Sequence, residues 1–356
     1  MGVLSLAFKI KAFEVSKKTY MYSKPFKISL GAHFESVNVE VKLILDDGIF
    51  GLGEASPSFL ISSETPDMVE IGLKELCQAL IGKDVRNYRK LFDETDVIFK
   101  AIPSAKAAVQ YAIIDALTAS LGITPFEFFG GSRDSIYTDK TVGIDEIENM
   151  VEEARSIYAE GFRTIKIKVG SVEKGVKSVE KIAEVTGNTG YIVDANQAFK
   201  AKEAVELSRK LYEKGINVVL LEQPVHRKDY DGLKFVRQNS PYPVAADEAV
   251  FEKYDAFKLI QNGCVDYINI KLMKSGISDA LAIVEMAKSA GVGLMIGCMG
   301  ESSLGITQSV DFAAGTGAFS YHDLDASLML KEENPLKGFE RDKDELKILG
   351  RDKRWK

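Results

Sequence analysis

Two short segments decide how this chain folds: Thr164-Ile165-Lys166-Ile167-Lys168 and Tyr191-Ile192-Val193-Asp194-Ala195-Asn196. Each is an aliphatic run that meets a charge near its end. A parallel strand buried on both faces is apolar along its length, and an isolated buried charge is costly. Charges at the ends of such runs therefore point to the mouth of a barrel, where barrel enzymes keep their active sites. Working outward, 218–221 runs into Glu222-Gln223-Pro224, Pro243-Val244-Ala245-Ala246 into Asp247-Glu248, and Asp266-Tyr267-Ile268-Asn269-Ile270 into Lys271. Further strands are expected to end near Val142 and Cys298, and a last one delivers Asp323-Leu324-Asp325. Amphipathic stretches at 147–159, 201–214 and 278–290 lie between some of them. The spacing is about 24 to 28 residues, the length of one strand-plus-helix unit. About eight such units fit, the number that closes a parallel barrel. An open doubly wound sheet is the rival, and no glycine-rich nucleotide loop supports it.

The first 130 residues have another rhythm. Val37, Val39, Val41, Leu43 and Leu45 alternate with Asn38, Glu40 and Lys42, as in a half-buried strand. Asp47-Gly48 is a hairpin turn signal. The Gly51-Leu52-Gly53-Glu54 that follows leads into Ser56-Pro57 and not into a helix, so it is not a dinucleotide fingerprint. Helices are expected over 67–81 and 104–121, the second opened by Pro103 and stopped by Gly122. The fold class is therefore α/β, a (β/α) barrel over about 131–330 with an α+β cap over about 1–130. The charged tail from about 331 is expected to fold back on the cap.

The 356 residues carry a formal net charge of −6, which argues against a nucleic-acid surface. Cys77, Cys264 and Cys298 are widely spaced and contain no CxxC pair, as expected of reduced thiols in a cytoplasmic protein. No apolar run approaches the length of a membrane span. Lys9 and Lys11 interrupt the N-terminal stretch, so a signal peptide is not expected.

Asp194, Glu222 and Asp247 come from three consecutive strands and are hard oxygen donors, with no histidine or cysteine beside them. That donor set favours Mg²⁺ over zinc. A single carboxylate at a strand end is more often a salt bridge or helix cap; three in succession, flanked by strands ending in lysine, are not so easily explained. Lys166 and Lys168 share one strand face, since side chains repeat every second residue. Lys168 and Lys271 end the second and sixth strands, which face each other across a barrel mouth. Two such bases can remove a proton from one face of a bound carbon and return it to the other. Nearby cations, Lys166 and the metal, are expected to lower the lysine pKa for that work. The metal would stabilise the enediolate of a carboxylate substrate.

Lys166-Ile167-Lys168, Asp194-Ala195-Asn196, Glu222-Gln223-Pro224, Asp247-Glu248 and Asn269-Ile270-Lys271 together resemble the muconate lactonizing subgroup of the enolase superfamily, whose fold is a modified TIM barrel with a capping domain. Lys24-Pro25-Phe26 and Gly51-Leu52-Gly53-Glu54-Ala55 resemble its cap. Asp323-Leu324-Asp325 looks like the mark of the dipeptide epimerases. The resemblance implies one Mg²⁺ per site and Asp323 and Asp325 on the α-ammonium of a dipeptide. It further implies Lys166 on the substrate carboxylate, and Thr141 and Cys298-Met299-Gly300 against the dipeptide backbone. Cys298 and Met299 could equally be core packing at a strand end. Epimerases of this family that act on Ala-Glu carry an arginine shortly after Lys-Pro-Phe; here Gly31-Ala32-His33 follows and no arginine is present. Phe26 and Phe59, with Leu60 and Ile61, offer an apolar rim instead, so a broad or apolar preference is expected. Lys27 or His33 could supply a looser cation. Other reactions of the subgroup remain open: o-succinylbenzoate synthase, muconate cycloisomerase and N-acylamino-acid racemase. So does a non-catalytic binding barrel, against which all five metal and lysine positions argue. A homo-oligomer is compatible with the sequence.

Overall fold

The structure is a computed structural model that describes residues 8–28, 31–98 and 101–355; the side chains of residues 25–28, 31–33 and 98 are not described. The expected roles of the Phe26, Lys27 and His33 side chains therefore lie outside the described residues.

An antiparallel sheet comes first: β1 (Ile10–Ile28), β2 (Gly31–Leu45) and β3 (Phe50–Ala55), paired in that order. Helices α1 (Phe59–Ser62), α2 (Pro66–Leu80), α3 (Tyr88–Ile98), α4 (Pro103–Leu121) and α5 (Pro125–Phe128) follow. Strand β4 (Ser135–Tyr137) precedes eight parallel strands: β5 (Lys140–Val142), β6 (Thr164–Lys168), β7 (Gly190–Asp194), β8 (Val218–Glu222), β9 (Val244–Ala246), β10 (Tyr267–Ile270), β11 (Gly293–Gly297) and β12 (Tyr321–Asp323). They pair in strict sequence order. The Asp139 amide donates to the His322 carbonyl at 2.9 Å, joining the two edges into a ring. Between the strands lie α6 (Ile147–Ala159), α7 (Val172–Val185), α8 (Ala201–Glu213), α9 (Tyr230–Asn239), α10 (Lys253–Gln261), α11 (Leu272–Ala290) and α12 (Ser303–Thr316). This is a TIM-barrel architecture with an antiparallel cap.

Helix α4 is apolar all round, as a helix buried on every side must be; Ser104 to Thr118 are all buried between the cap sheet and α11. The two glycines of β3 make that approach possible. A Cβ on Gly53 would lie 2.1 Å from the Ala108 carbonyl oxygen, and one on Gly51 2.2 Å from that of Ala112. Gly53→Ala is therefore expected to cost about 3 kcal/mol, at the upper end for overpacking, because both obstacles are backbone. Chemical denaturation tests this, and a loss under about 0.5 kcal/mol would show that α4 can retreat.

The tail forms a hairpin, β13 (Phe339–Asp342) and β14 (Glu345–Ile348), whose second strand pairs with β4. Other tail residues reach the cap: the Lys331 amide donates to the Met21 carbonyl at 2.8 Å, and Arg351 pairs with Asp115 of α4 at 2.5 Å.

Candidate active site

The strand ends deliver a compact ionic array. Lys166 Nζ lies 2.7 Å from Asp323 Oδ2, 2.9 Å from Glu222 Oε2 and 3.1 Å from Asp194 Oδ2. Lys168 Nζ donates to Asp194 Oδ2 at 2.8 Å and to Asn196 Oδ1 at 2.9 Å. Across the ring, Lys271 Nζ is 2.9 Å from Asp247 Oδ2, and Lys274 Nζ is 2.6 Å from Asp247 Oδ1. Asp194, Glu222 and Asp247 are each at most 2% exposed. Charges buried this deeply persist only when paired.

Burial pushes the Asp194 carboxyl up, but Lys168 and Lys166 outweigh it and hold the group at about 2. Burial likewise opposes the charge on Asp247, yet Lys271, Lys274 and Lys166 keep it far below the usual range. Glu222 rises to about 7 because burial exceeds the help from Lys166. The expected lowering of the lysine pKa rests on Lys166 and the metal together; beside the carboxylates alone, Lys271 is shifted upward. Burial does push its Nζ down, but the neighbouring Asp247 carboxylate more than reverses this and leaves it above the ordinary lysine range. Lys166 is likewise raised, by Asp323, Glu222 and Asp194 against burial. Lysines here occupy positions that a cation bound by the carboxylates would contest.

Three hard, buried carboxylates thus face ammonium groups at adjacent strand ends, Asp194 and Glu222 on Lys166 and Asp247 on Lys271 and Lys274, and among the described residues their oxygens are not gathered within 4.8 Å of one another. Among the described residues, Glu222 Oε2 has its ion pair with Lys166 and no hydrogen bond. Such a donor set fits a divalent cation of the Mg²⁺ type. Asn269 Nδ2 donates to the other oxygen, Glu222 Oε1, at 2.7 Å and orients it.

A cavity of about 290 Å³ opens above this array. Lys166, Lys168, Asp247, Lys271, Asp323 and Asp325 line its floor, and Thr141, Cys298, Met299 and Gly300 its walls. The cap covers it with Tyr22, Glu35, Ser36 and Val37 from β1 and β2, and with Pro57, Phe59, Ile61 and Pro66 from the segments that follow β3. Of the cap residues singled out in the sequence, Phe59 lines the rim and is 69% exposed. Asp325 Oδ2 accepts from the Thr141 amide at 2.7 Å, fixing the carboxylate across the seam between β12 and β5. Burial and the nearby Asp323 push the Asp325 carboxyl up to about 6. Among the described residues Asp325 has no ion pair, and Asp323 has only Lys166. Cys298 Sγ lies within 4.8 Å of an oxygen of both aspartates. Burial holds that thiol well above its ordinary pKa, so it is protonated and a poor metal ligand. Asp325, a buried carboxylate with no ion pair among the described residues, leaves room for a cationic ligand beside it.

Several residues of the site escaped the sequence reading. Lys274, 1% exposed, holds Asp247 from the side opposite Lys271. Glu248 accepts from Asn196 Nδ2 at 3.1 Å, and burial with the Asp247 charge lifts it to about 7. Burial raises Glu301 to about 8, and its Oε2 accepts from the Met299 amide. Asn196 and Asn269 belong to the Asp194-Ala195-Asn196 and Asn269-Ile270-Lys271 motifs; strand alternation places Asn269 of β10, whereas Asn196 lies beyond β7 at a φ of 40°.

Residues 149–347 match the model of the enolase C-terminal domain-like family, and residues 9–130 that of the mandelate racemase/muconate lactonizing enzyme N-terminal domain. The chain is 55% identical to the L-Ala-D/L-Glu epimerase of Thermotoga maritima, over 91% of this chain and 94% of that protein. It is 36% identical to the hydrophobic dipeptide epimerase of Enterococcus faecalis, over 93% and 94%. A crystal structure of the dipeptide epimerase from Enterococcus faecalis V583, complexed with Mg and the dipeptide L-Leu-L-Tyr, superimposes with a TM-score of 0.93 at 34% identity, covering 96% of this chain and 98% of that one. The chain belongs to the mandelate racemase/muconate lactonizing enzyme family of the enolase superfamily, among its dipeptide epimerases.

Proposed function

We propose that this protein is a Mg²⁺-dependent dipeptide epimerase that inverts the α-carbon of the C-terminal residue of an L-Ala-L-Xaa-type dipeptide by 1,1-proton transfer. One observation carries the reading: Lys168 and Lys271, from strands four apart in a ring of eight, line the same cavity as Asp323 and Asp325. Within it, residues 1–130 with the tail act as the cap and 131–330 as the catalytic barrel. A cytoplasmic location is part of the same proposal; no helix among the described residues is long and apolar enough to cross a membrane.

Asp323 and Asp325 bind the substrate ammonium, and Thr141 holds Asp325 in place for it. That charge–charge contact sets the dipeptide's direction, so its carboxylate reaches Lys166. Asp194, Glu222 and Asp247 would hold the Mg²⁺, whose charge would stabilise the carboxylate as it gains electron density. The α-carbon then lies between Lys168 and Lys271. One neutral lysine accepts the proton from its face, and the other, protonated, donates to the opposite face. For this to work the base must shed its present carboxylate partner. Lys271 is tied to Asp247 and Lys168 to Asp194; a cation on those carboxylates weakens both ties. The cap excludes water from the reacting carbon.

Val37, Pro57, Phe59, Ile61, Pro66 and Met329 give the cavity an apolar side, and Glu35 adds a negative charge there. These features support an apolar or broad preference for Xaa. The name of the Thermotoga maritima relative, L-Ala-D/L-Glu epimerase, favours a second reading, Ala-Glu. Comparing kcat/KM for L-Ala-L-Phe and L-Ala-L-Glu decides between them. We expect Ala-Phe to equal or exceed Ala-Glu; a hundredfold advantage for Ala-Glu, about 2.7 kcal/mol of transition-state binding, would overturn the apolar reading. Removing the metal with a chelator is expected to abolish epimerisation, and added Mg²⁺ to restore it.

A further inference from the structure

The loop that walls the cavity, Cys298-Met299-Gly300, is held by the cap as well as by its own strand. Asn38 of β2 is fully buried, and its Nδ2 donates twice: to Glu54 Oε1 of β3 at 3.0 Å and to the Gly300 carbonyl at 3.0 Å. Its Oδ1 accepts from Ser36 Oγ at 2.9 Å. The amide orientation is fixed by chemistry, because the Gly300 carbonyl can only accept. Glu54 in turn takes the Ser302 amide at 2.8 Å and the Ser302 hydroxyl. Its own backbone forms two bonds with the Gln308 side chain, Glu54 N to Oε1 at 3.1 Å and Nε2 to Glu54 O at 2.9 Å. The contact is close: a Cβ at position 300 would lie 2.5 Å from Ser36 Oγ and 2.8 Å from the Tyr22 hydroxyl, so those side chains would have to move. Ser36, Tyr22 and Gly300 all line the cavity.

We propose that Asn38 is a positioning residue for substrate binding: through the Gly300 carbonyl it sets the 298–300 wall against the dipeptide backbone, separately from its bond to Glu54 that holds the cap sheet together. This rests on the dipeptide reading above. Asn38 touches no reacting atom. Losing it loosens the wall in the substrate complex and in the transition state alike, which raises KM and leaves kcat nearly unchanged. A purely structural role predicts instead that whatever restores folding also restores KM.

An exchange of partners separates the two roles. Asn38→Asp removes both donated bonds and buries a second carboxyl beside Glu54, whose own pKa burial already lifts to about 8, so it lowers thermal stability. In Asn38→Asp combined with Glu54→Gln, the new amide can donate to the new carboxylate with the polarity of that link reversed, while the Ser302 amide loses the Glu54 Oε1 that it shares with Asn38. The Gly300 carbonyl still has no donor. The expected result for the double variant is a thermal midpoint between those of Asn38→Asp and the parent, KM for L-Ala-L-Phe raised about tenfold and kcat within about threefold, whereas Glu54→Gln alone, which leaves the Asn38 donation to Gly300 in place, keeps KM near that of the parent. Recovery of KM together with stability would overturn the proposal, as would failure of both Asn38→Asp variants to fold, since each assigns the amide a structural role only. Absence of turnover in the parent protein would mark failure of the dipeptide reading instead, and is visible before any variant is made.

Discussion

Lys168→Ala and Lys271→Ala are each expected to lower the rate of epimerisation at least about 10³-fold, the scale of a lost general acid–base group, while the dipeptide still binds. The two variants should not be equivalent. Inversion needs both lysines, because a proton taken from one face must be replaced from the other. Exchange with solvent needs only one. The variant that keeps the lysine facing the L epimer should still wash out that epimer's α-proton and return it with retention; the other variant should do the same for the D epimer only. Stereospecific exchange of the separate epimers in D₂O reads this directly. Equal exchange of both epimers by either variant would mean that one base serves both faces. A loss confined to KM would reassign the lysine to binding. The environments differ too: Lys168 donates to both Asp194 and Asn196, whereas Lys271 shares Asp247 with Lys274. Either substitution leaves its carboxylate one cationic partner, Lys274 for Asp247 and Lys166 for Asp194.

The largest expected effect on stability lies far from this chemistry, near the end of the chain. Arg354 is 4% exposed and makes a two-pronged pair with Asp311 of α12, Nη1 to Oδ2 and Nη2 to Oδ1, each at 2.6 Å. Asp311 also accepts from the Tyr111 hydroxyl of α4. Arg354→Met would leave a carboxylate with no exposed surface and no counter-charge, at an expected cost of about 3–5 kcal/mol. Adding Asp311→Asn removes the stranded charge and should recover part of that loss, so the pair is non-additive in a double-mutant cycle. Strict additivity, or a loss below about 1 kcal/mol, would mean that water reaches Asp311 when the tail is loosened. Turnover per folded molecule should be unchanged, because none of these three side chains lines the cavity.

The barrel was legible because its interior excludes charge. Val142, Lys168, Asp194, Glu222 and Asp323 are the last residues of β5, β6, β7, β8 and β12, while Asp247 and Lys271 stand one residue beyond β9 and β10. The helix expected from residue 278 begins earlier, at Leu272, but it breaks at Gly276, whose φ of 69° and ψ of −179° are open to glycine. Gln110 of α4 accepts from the amides of Ile277 and Ser278, so the periodic pattern registered the restarted half. The tail hairpin was hidden. Phe339 and Leu346 are buried, but Glu340, Arg341, Asp342, Glu345 and Lys347 around them mask the alternation. Within the site, residues whose role follows from their position on a strand could be named in advance. Lys274, Glu301 and Asn38 could not, because their roles come from partners brought in by other elements: Asn38 meets a carbonyl 262 residues away in sequence. Electrostatics was the least legible. The sequence pointed to Lys166 and a bound metal as what lowers the pKa of the base; it did not show how closely the carboxylates approach Lys271 and Lys166, where they act in the opposite direction.

The position of deuterium in the product tests the central claim most directly. The parent protein with Mg²⁺ is incubated with a set of L,L-dipeptides in D₂O, and the label is located by mass spectrometry. The account predicts one deuterium, on the α-carbon of the C-terminal residue, with both diastereomers present at the end. Turnover of an N-succinylated amino acid with no label in any dipeptide, or label at the N-terminal residue, would contradict it.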